Sequence, residues 1–566
     1  MLTTRREDIG SYSFGVESHV HKIQPLERRD AWELFSMKAF SSYHNKSCSP
    51  ELLPIARELV EKCEGLPLAI VALSGLMSSK KSLTDWTKVY NSLNWHVTNN
   101  SVLEPMKSIL LLSFKDLPYR LKQCFLYCSL FPEDEVIMNR RLIRLWIAEG
   151  FVEHVKGVTL EEVANSYVME LIFRNMLQER CREYQPACKM HDLMREIALS
   201  IAGKEKFCVV LDGSETMEET GALRLSIQTT IGEIGPRTYL EGVPIDRLPE
   251  ELTYLFNLKY LNLRNTRIKE LPESIRRLCN LQTLDLFGTD IEALPIGISK
   301  LINLRHLIMC HSKSGSKLVG VKLPSSISKM KKLQSLGCIE SEGNIIRLIG
   351  NMTQLSILGI TNVKVSDEKD LCASIQEMKV LSHLYLSVAD GEEFLRVDAL
   401  SSPSFYLDRL DLIGKLEKVP HWFCSLQCLT CLHLCGSGLE EDLLPHIEAL
   451  PSLLSLCLND SYVGKELCFN RGFVKLRYLE LRNLSLLNKM TIEKGVMPNL
   501  EFFGIYRFLG LDTLPQGIEH LKKLQGYTFE CVSGKFAESI REGGVDHARM
   551  LLIEERCNKY TNKFSN

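Results

Sequence analysis

Met190-His191-Asp192 stands where a helical pattern begins, in the segment that runs from Tyr184 to Gly203. A histidine at a helix N-terminus can present a ring N–H to an anion beside the positive end of the helix dipole. Taken alone, the triplet also fits a plain helix cap, in which Asp192 caps the helix or fixes the imidazole tautomer. Both interpretations require a helix that starts at this point.

A second candidate for chemistry is a run of thiols around one imidazole: Cys424, Cys428, Cys431, Cys435 and His433. Such side chains are typical zinc ligands. However, Cys431, His433 and Cys435 alternate along a predicted strand, which places successive outward side chains about 7 Å apart, too far for easy tetrahedral closure. We therefore predict no metal site.

The C-terminal half of the chain is periodic. Leu255, Leu278 and Leu301 recur at a spacing of 23 residues, and weaker copies of the same pattern continue to about residue 505. Each L-x-x-L-x-L segment predicts a short strand whose leucines one repeat cannot bury without neighbours. Stacked repeats predict a curved solenoid with parallel strands on its concave face.

Side chains between these leucines should project from the concave face and form a surface suited to recognition. In the first two repeats they are Lys259, Tyr260, Asn262, Arg264, Gln282, Thr283, Asp285 and Phe287. We expect most of them to be simply solvated, since few interface residues carry much binding energy. The irregular stretch 308–326 predicts a loop insertion, and 546–566 predicts a polar tail.

The first 200 residues show helical periodicity instead. Helices are predicted over 30–40 with Asp30 as the cap, over 50–65 with Gly65 as a left-handed stop, and over 66–79 with Pro67 near the first turn. Further helical segments up to about 178, followed by two short strands, predict a winged-helix unit. No dense Lys/Arg stripe accompanies it, so we predict no nucleic-acid binding.

Composition and charge argue against some classes of partner and cellular location. The chain has 68 basic and 70 acidic side chains and a formal net charge of -2, so no global field draws it to nucleic acid or to an anionic membrane. No stretch approaches the ~18 apolar residues of a spanning helix, and no secretory signal opens the chain. We expect reduced thiols and a cytoplasmic location, with peripheral association at the plasma membrane as a second possibility.

Four motifs precede the repeats in a fixed order: Gly65-Leu66-Pro67-Leu68-Ala69, CFLYCSLFPED over 124–134, LWIAEGF over 145–151, and Met190-His191-Asp192. This order resembles plant intracellular nucleotide-binding leucine-rich-repeat disease-resistance proteins of the coiled-coil class. Thr3-Thr4-Arg5 is similar to the end of a core strand in that family's nucleotide-binding domain. The resemblance covers nearly the whole chain.

The resemblance implies a multidomain fold of α plus α/β type, in which a helical bundle and a winged-helix domain precede a leucine-rich-repeat solenoid. The implied domains are a nucleotide-binding remnant (1–20), a helical domain (21–98), a winged-helix domain (99–203), the repeats (204–545) and the tail (546–566). ADP or ATP is the implied cofactor. By matching motifs, Arg5 would sense the terminal phosphate of ATP, Pro67 would pack near the adenine, and His191 would contact the β-phosphate of ADP.

One departure from the family weakens this expectation. The 566 residues contain no G-x-x-x-x-G-K-[ST] loop, whose backbone N–H groups and lysine anchor the phosphates. We therefore expect weak nucleotide binding or none. A truncated product, a partial gene model and a degenerate paralogue all remain open as explanations.

The predicted function is that of an immune receptor and not of an enzyme, because no nucleophile–base order or kinase motif is present. Its expected partners are a pathogen effector or a guarded host protein at the concave face, and the family's own N-terminal domains. The alternative is a nucleotide-independent leucine-rich-repeat scaffold that binds other proteins.

Overall fold

A computed structural model of the chain describes residues 25–41, 48–80, 82–99, 105–131, 133–182, 185–205, 207, 209–211, 225–227, 246–248, 250–254, 258–312, 318–389, 393–554 and 563–565. The chain forms two compact units, 1–236 and 237–566. The predicted nucleotide-binding remnant at 1–20 lies outside the described residues. The domain boundaries predicted at 98 and 203 stay predictions.

The first unit is mainly helical. Its helices are α1 (Arg28–Ala39), α2 (Leu53–Glu61), α3 (Pro67–Ser78), α4 (Leu83–Asn99), α5 (Pro105–Lys115), α6 (Tyr119–Cys128), α7 (Asn139–Glu149), α8 (Leu160–Phe173) and α9 (Asp192–Lys204). Aromatic packing joins the first and the fourth of these helices: Trp86 stacks on Phe40 with 5.6 Å between ring centroids, and Phe35 meets the Trp86 ring edge-on at 6.3 Å. Such contacts add to the burial of the rings themselves.

The predicted winged-helix arrangement is confirmed. Strands β1 (Ile137–Met138), β2 (Gln178–Arg182) and β3 (Gln185–Lys189) form an antiparallel sheet in the order β1-β3-β2. The helix before the wing, α8, starts at a capping box in which Thr159 and Glu162 satisfy each other's backbone N–H groups. A parallel pair, β4 (Val209–Leu211) and β5 (Leu225–Ile227), follows α9.

Two helix signals were predicted wrongly. Asp30 is not the cap of α1, because Glu27 occupies that position and Asp30 lies in the first turn, where its charge favours the helix dipole. Gly65 does have a left-handed backbone with φ 72°, but α2 already ends at Glu61. A side chain at Gly65 would collide with the backbone oxygen of Leu26, which explains the glycine.

The second unit is the predicted solenoid. Its strands are β6 (Tyr260–Asn262), β7 (Thr283–Phe287), β8 (His306–Ser312), β9 (Leu318–Val319), β10 (Ser335–Glu340), β11 (Ile357–Val363), β12 (His383–Val388), β13 (Arg409–Ile413), β14 (Cys431–Cys435), β15 (Ser455–Asn459), β16 (Glu466–Phe469), β17 (Tyr478–Arg482), β18 (Lys489–Ile492), β19 (Phe502–Tyr506), β20 (Gly526–Glu530) and β21 (Lys563–Ser565). All but β9, β16 and β18 follow one another in a single parallel sheet. Leu261, Leu284 and Leu307 stand in register and are buried, as the repeat pattern predicts.

Short helices lie between the strands of some repeats: α10 (Ile345–Ile349), α11 (Glu368–Glu377), α12 (Leu444–Ile447), α13 (Gly534–Ile540) and α14 (His547–Glu554). The predicted polar tail is wrong for α14, because Met550 and Ile553 are buried in the repeat core at helical spacing. The predicted loop at 308–326 is wrong in part, since β8 and β9 pair there as antiparallel strands. Among the described residues, no helix is both long and apolar enough to cross a bilayer.

The expected solvation of the first concave positions is also wrong in part. Four of the eight side chains are buried: Tyr260, Asn262, Thr283 and Asp285. Asn262 accepts a hydrogen bond from the Arg264 backbone N–H at 2.9 Å, and the Arg264 guanidinium lies 4.1 Å from the centre of the Phe287 ring. Polar side chains that bond to their own strand and lie under a neighbour lose contact with water.

Candidate functional site

His191 is itself the cap of α9. Its Nδ1 accepts a hydrogen bond from the Leu193 backbone N–H at 3.3 Å, while Asp192 is the first helical residue. The predicted capping role of Asp192 is therefore wrong, although its carboxylate still lies at the favourable end of the dipole. Because Nδ1 acts as the acceptor, a neutral His191 ring carries its proton on Nε2, which is a donor.

Pro67 is the first residue of α3, with Leu66 at the cap position. Proline is suited to this place because its missing N–H would have had no partner within the helix. The Pro67 ring itself is exposed, whereas the body of α3 is buried in the helical core. The helix therefore has a fixed start and a fixed direction.

A cavity of about 340 Å³ brings His191 together with the helix that Pro67 starts. Its lining residues are Lys38, Leu68, Val71, Ile172, Asn175, Met176, Leu177, Gln178, Glu179 and His191. Pro67 is one residue away from Leu68 but does not line the cavity, and Arg5 lies outside the described residues. We call this space the junction cavity.

Asn175 holds the junction cavity together. It accepts a hydrogen bond from Lys38 Nζ at 2.5 Å and donates one from Nδ2 to the Val71 carbonyl at 3.2 Å. A side chain at Gly75 would approach the Arg174 carbonyl oxygen within 2.6 Å, so only glycine permits this close approach of α3 to the end of α8. The sequence analysis did not identify Asn175 or Gly75 as site residues.

Ion pairs reinforce the same contact. Asp116 receives Lys80 Nζ at 2.5 Å and the Arg174 guanidinium at 3.0 Å, and Arg174 also reaches Glu170 at 2.7 Å. Lys80 follows α3, Asp116 follows α5, and Arg174 follows α8, so one carboxylate connects three segments. No local sequence pattern reveals a contact among residues this far apart.

The junction cavity has mixed chemistry. Lys38, Asn175 and His191 supply donors that suit a phosphate, and burial lowers the pKa of Lys38 from its ordinary value. Apolar side chains such as Leu68 suit the face of a base, whereas the Glu179 carboxylate opposes an anion. These residues fit one or two phosphate contacts but form no full phosphate cradle.

On the concave face, Cys431, His433 and Cys435 alternate along β14 as predicted. Burial raises the pKa of the Cys431 thiol to about 11 and also raises that of Cys435, so both remain protonated at neutral pH and are poor metal ligands. Within the described part of the chain, no group of three or more His, Cys, Asp or Glu side chains is placed to hold a metal ion.

Asp411 is the centre of a polar cluster that sequence analysis missed. Its carboxylate contacts His383 Nε2 at 2.9 Å, Arg409 at 2.8 and 3.0 Å, and His433 Nδ1 at 3.4 Å. Burial would raise the pKa of Asp411, but the hydrogen bonds from His383 and His433 and the Arg409 guanidinium hold it well below its usual range. Aligning neighbouring repeats by strand position would have placed these residues side by side.

Comparison with known proteins agrees with this architecture. Residues 247–545 match the leucine-rich repeat region model, and 130–198 match the disease resistance protein winged helix domain. The chain is 42% identical to disease resistance protein RPM1 of Arabidopsis thaliana over 98% of this chain and 64% of that protein. From the same plant, disease resistance protein RPP13 is 29% identical over 88% of this chain and 61% of its own length. Disease resistance protein RPP8 is 26% identical over 98% of this chain and 66% of its own length.

Among solved structures, a leucine-rich-repeat protein of Leptospira interrogans is 21% identical and covers 60% of this chain and 78% of its own, with a TM-score of 0.33. A winged-helix unit followed by a leucine-rich solenoid defines a modular, multidomain class of protein. The chain belongs to the plant disease-resistance proteins with a leucine-rich-repeat region. It spans less than two thirds of the length of the relatives named above.

Proposed function

We propose that the chain provides the switch and the sensor of a cytoplasmic plant immune receptor, and that it is not an enzyme. Support comes from relatives named as disease resistance proteins and from the leucine-rich-repeat region, a fold suited to binding other proteins. The observation that carries the proposal is the junction cavity, where His191 and α3 meet. The repeats would bind a pathogen effector or a guarded host protein.

ADP or ATP is the proposed ligand of the switch. His191 would donate from Nε2 to a phosphate, Pro67 would lie near the base, and Arg5 would sense the terminal phosphate of ATP, as the family resemblance implies. When bound, the nucleotide supplies a difference in affinity between the closed and open arrangements, and the switch can be no stronger than that difference. Lys38 and Asn175 would orient the same phosphate.

Calorimetric titration of the purified chain with ADP tests the proposal. Since the 566 residues contain no phosphate loop, we expect affinity weaker than micromolar, and we expect His191→Gln to remove the remaining heat. His154→Gln is the matched control, because His154 is exposed and does not line the junction cavity. Equal heats for the two variants would contradict the role of His191, and micromolar affinity would contradict the expectation that binding is weak without a phosphate loop.

A second test uses the dipole at the start of α9. Replacing Asp192 by Val removes a favourable charge worth about 0.3–1 kcal/mol from the helix that positions His191. In a receptor that includes the family's nucleotide-binding domain, we expect Asp192→Val to loosen closure and to lower the ADP content of the purified protein. An unchanged ADP content would count against the role of His191.

The alternative is a nucleotide-independent scaffold. It is favoured by the absence of a phosphate loop from these 566 residues and by the polar cluster on the concave face, whose hydrogen bonds lie within the repeats. Capture of a protein partner by the full chain separates the two functions. A scaffold binds equally well with or without millimolar ADP and with either the native residue or His191→Gln, whereas a switch responds to both changes.

A further inference from the structure

The central strands of the concave sheet carry a row of polar side chains in strict register. Asp411 on β13 stands opposite His433 on β14, His433 opposite Cys457 on β15, and Cys457 opposite Glu480 on β17. Neighbouring strands of a sheet lie about 4.8 Å apart, so this row forms one continuous surface. Because it is built into the parallel sheet, its spacing is fixed by the backbone.

A second cation covers the far end of the row. Arg482 contacts the Glu480 carboxylate at 2.9 Å, and its guanidinium lies 4.0 Å from the centre of the Tyr506 ring. The Tyr506 ring lies close over Gly504, where a side chain would approach the ring within 2.6 Å. Arg482 is held in one position by the Glu480 carboxylate and by the Tyr506 ring, which can lie there because Gly504 has no side chain.

The two signs of charge lie at different depths. The carboxylate side chains of Asp411 and Glu480 are 4% and 7% exposed, whereas those of Arg409, His433 and Arg482 are 21%, 31% and 39% exposed. Burial would lower the pKa of His433, but its hydrogen bonds to Asp411 and Cys457 raise it to about 9, so it is charged at neutral pH. An approaching partner therefore meets cations first.

Two further carboxylates act on the edges of this surface: Asp408 on Arg409, and the exposed Asp460 on Cys435. Cys431 and Cys435 are protonated thiols at neutral pH, and Ser455 and Asn459 are neutral. Glu530 on β20 stands opposite Tyr506 and bounds the surface on that side. We call the surface formed by Arg409, His433 and Arg482 the cationic patch.

We propose that the cationic patch binds a carboxylate-rich segment of a protein partner, with Arg409, His433 and Arg482 donating hydrogen bonds to its Asp or Glu side chains. This inference rests on the proposed protein-binding role of the repeats and names the chemistry of the partner. The buried carboxylates orient the cations in advance, which reduces the entropy lost on binding. Arg409 and Arg482 each use Nε and one Nη on the buried carboxylate, so each would bind a partner carboxylate through its remaining N–H donors.

Fluorescence anisotropy with the full chain tests the proposal, using a labelled oligoglutamate peptide and an oligoglutamine peptide of equal length. We expect the oligoglutamate peptide to bind at least about tenfold more tightly, with affinity that falls as salt is added. Equal binding of the two peptides would overturn the proposal.

Variants locate the binding. His433→Gln and Arg482→Gln should each weaken oligoglutamate binding by about tenfold, and Arg482→Lys, which keeps the charge and protects the fold, should weaken it less. Arg396→Gln is the matched control, because Arg396 is 42% exposed and pairs with Glu417 outside the patch. Equal loss in Arg396→Gln would overturn the location.

Two further probes separate this proposal from the proposed function. A single-stranded DNA of equal charge that binds more tightly than oligoglutamate would replace an acidic protein by a nucleic acid as the ligand. An oligolysine peptide that binds in place of oligoglutamate would overturn the acidic partner and leave protein binding by the repeats intact. The ADP titrations test the switch without involving the patch.

Discussion

The junction cavity and the cationic patch use polar side chains in opposite ways. At the junction, Lys80, Asp116 and Arg174 reach across segments that are distant in the sequence. On the patch, Asp411 and its partners come from adjacent strands whose leucines form a continuous core. The difference teaches that the junction depends on a few polar contacts that single substitutions can remove, whereas the row on the patch is held by the sheet itself.

The largest expected effect is at the centre of the patch. Asp411→Ala leaves Arg409 and His433 without their counter-charge; because these side chains are 21% and 31% exposed, the loss should be about 3 kcal/mol of stability in the repeat unit, the lower end of the range for a buried pair. Urea denaturation followed by hydrogen exchange of peptides from β12–β14 measures the loss. Asp290→Ala, at an exposed position of the same unit, should change stability by less than about 0.5 kcal/mol. Similar losses in both variants would show that the cluster contributes little.

The stability of the repeat unit should change less with pH than with Asp411→Ala, because only one member of the cluster changes its charge at a time. The folded pKa of His433 is raised from 6.5 to about 9, so its contribution is complete below pH 6.5 and disappears as the pH rises through about 9. The folded pKa of Asp411 is lowered, so its contribution is present above pH 3.8 and disappears as the pH falls further.

His433→Gln should therefore remove the alkaline loss of stability, which urea denaturation at several pH values would detect. His421→Gln, at an exposed position of the repeat unit, should leave the alkaline limb unchanged. If the alkaline limb persists in His433→Gln, another group is responsible for it.

The smallest effect is expected at the junction. Gly75→Ala forces a methyl group against the Arg174 carbonyl, an overpacking that should cost about 1–3 kcal/mol, offset in part by about 1 kcal/mol of helix propensity. Gly203→Ala is the control, since it also lies in a helix but has open space around its Cα, and it should be neutral or stabilising. Thermal denaturation compares the two, and equal shifts would mean that α3 does not press on α8.

Much of the fold could be predicted from the sequence because the repeats are self-consistent: Leu261 and Leu284 stand in equivalent positions and are buried in register. The start of α3 at Pro67 was predicted for a similar local reason. The sequence-based predictions failed where packing against other parts of the chain decides whether a side chain is buried. Met550 looked like part of a tail until its neighbours in the core were known, and Asp285 looked solvated until its own strand and Arg264 covered it.

The candidate site was predictable only in part. A motif placed His191 at a helix start, and the structure adds that the imidazole itself is the cap and lines a cavity with α3. Asn175 and Asp116 carry no motif, because their role depends on chain segments that meet only after folding. Asp411 was missed since a single acid between leucines has no distinctive local pattern.

Hydrogen exchange of the full chain tests the central contrast most directly, by comparing the junction segment 174–177 with peptides from β13 and β14. The ends of helices open locally, while core strands exchange only when the whole unit unfolds. We predict that the amides of 174–177 exchange markedly faster than those of β13 and β14, whereas the amides of α3, which is buried in the helical core, stay protected. Equal protection, or faster exchange in the two strands, would contradict this contrast between a junction that opens locally and a rigid recognition sheet.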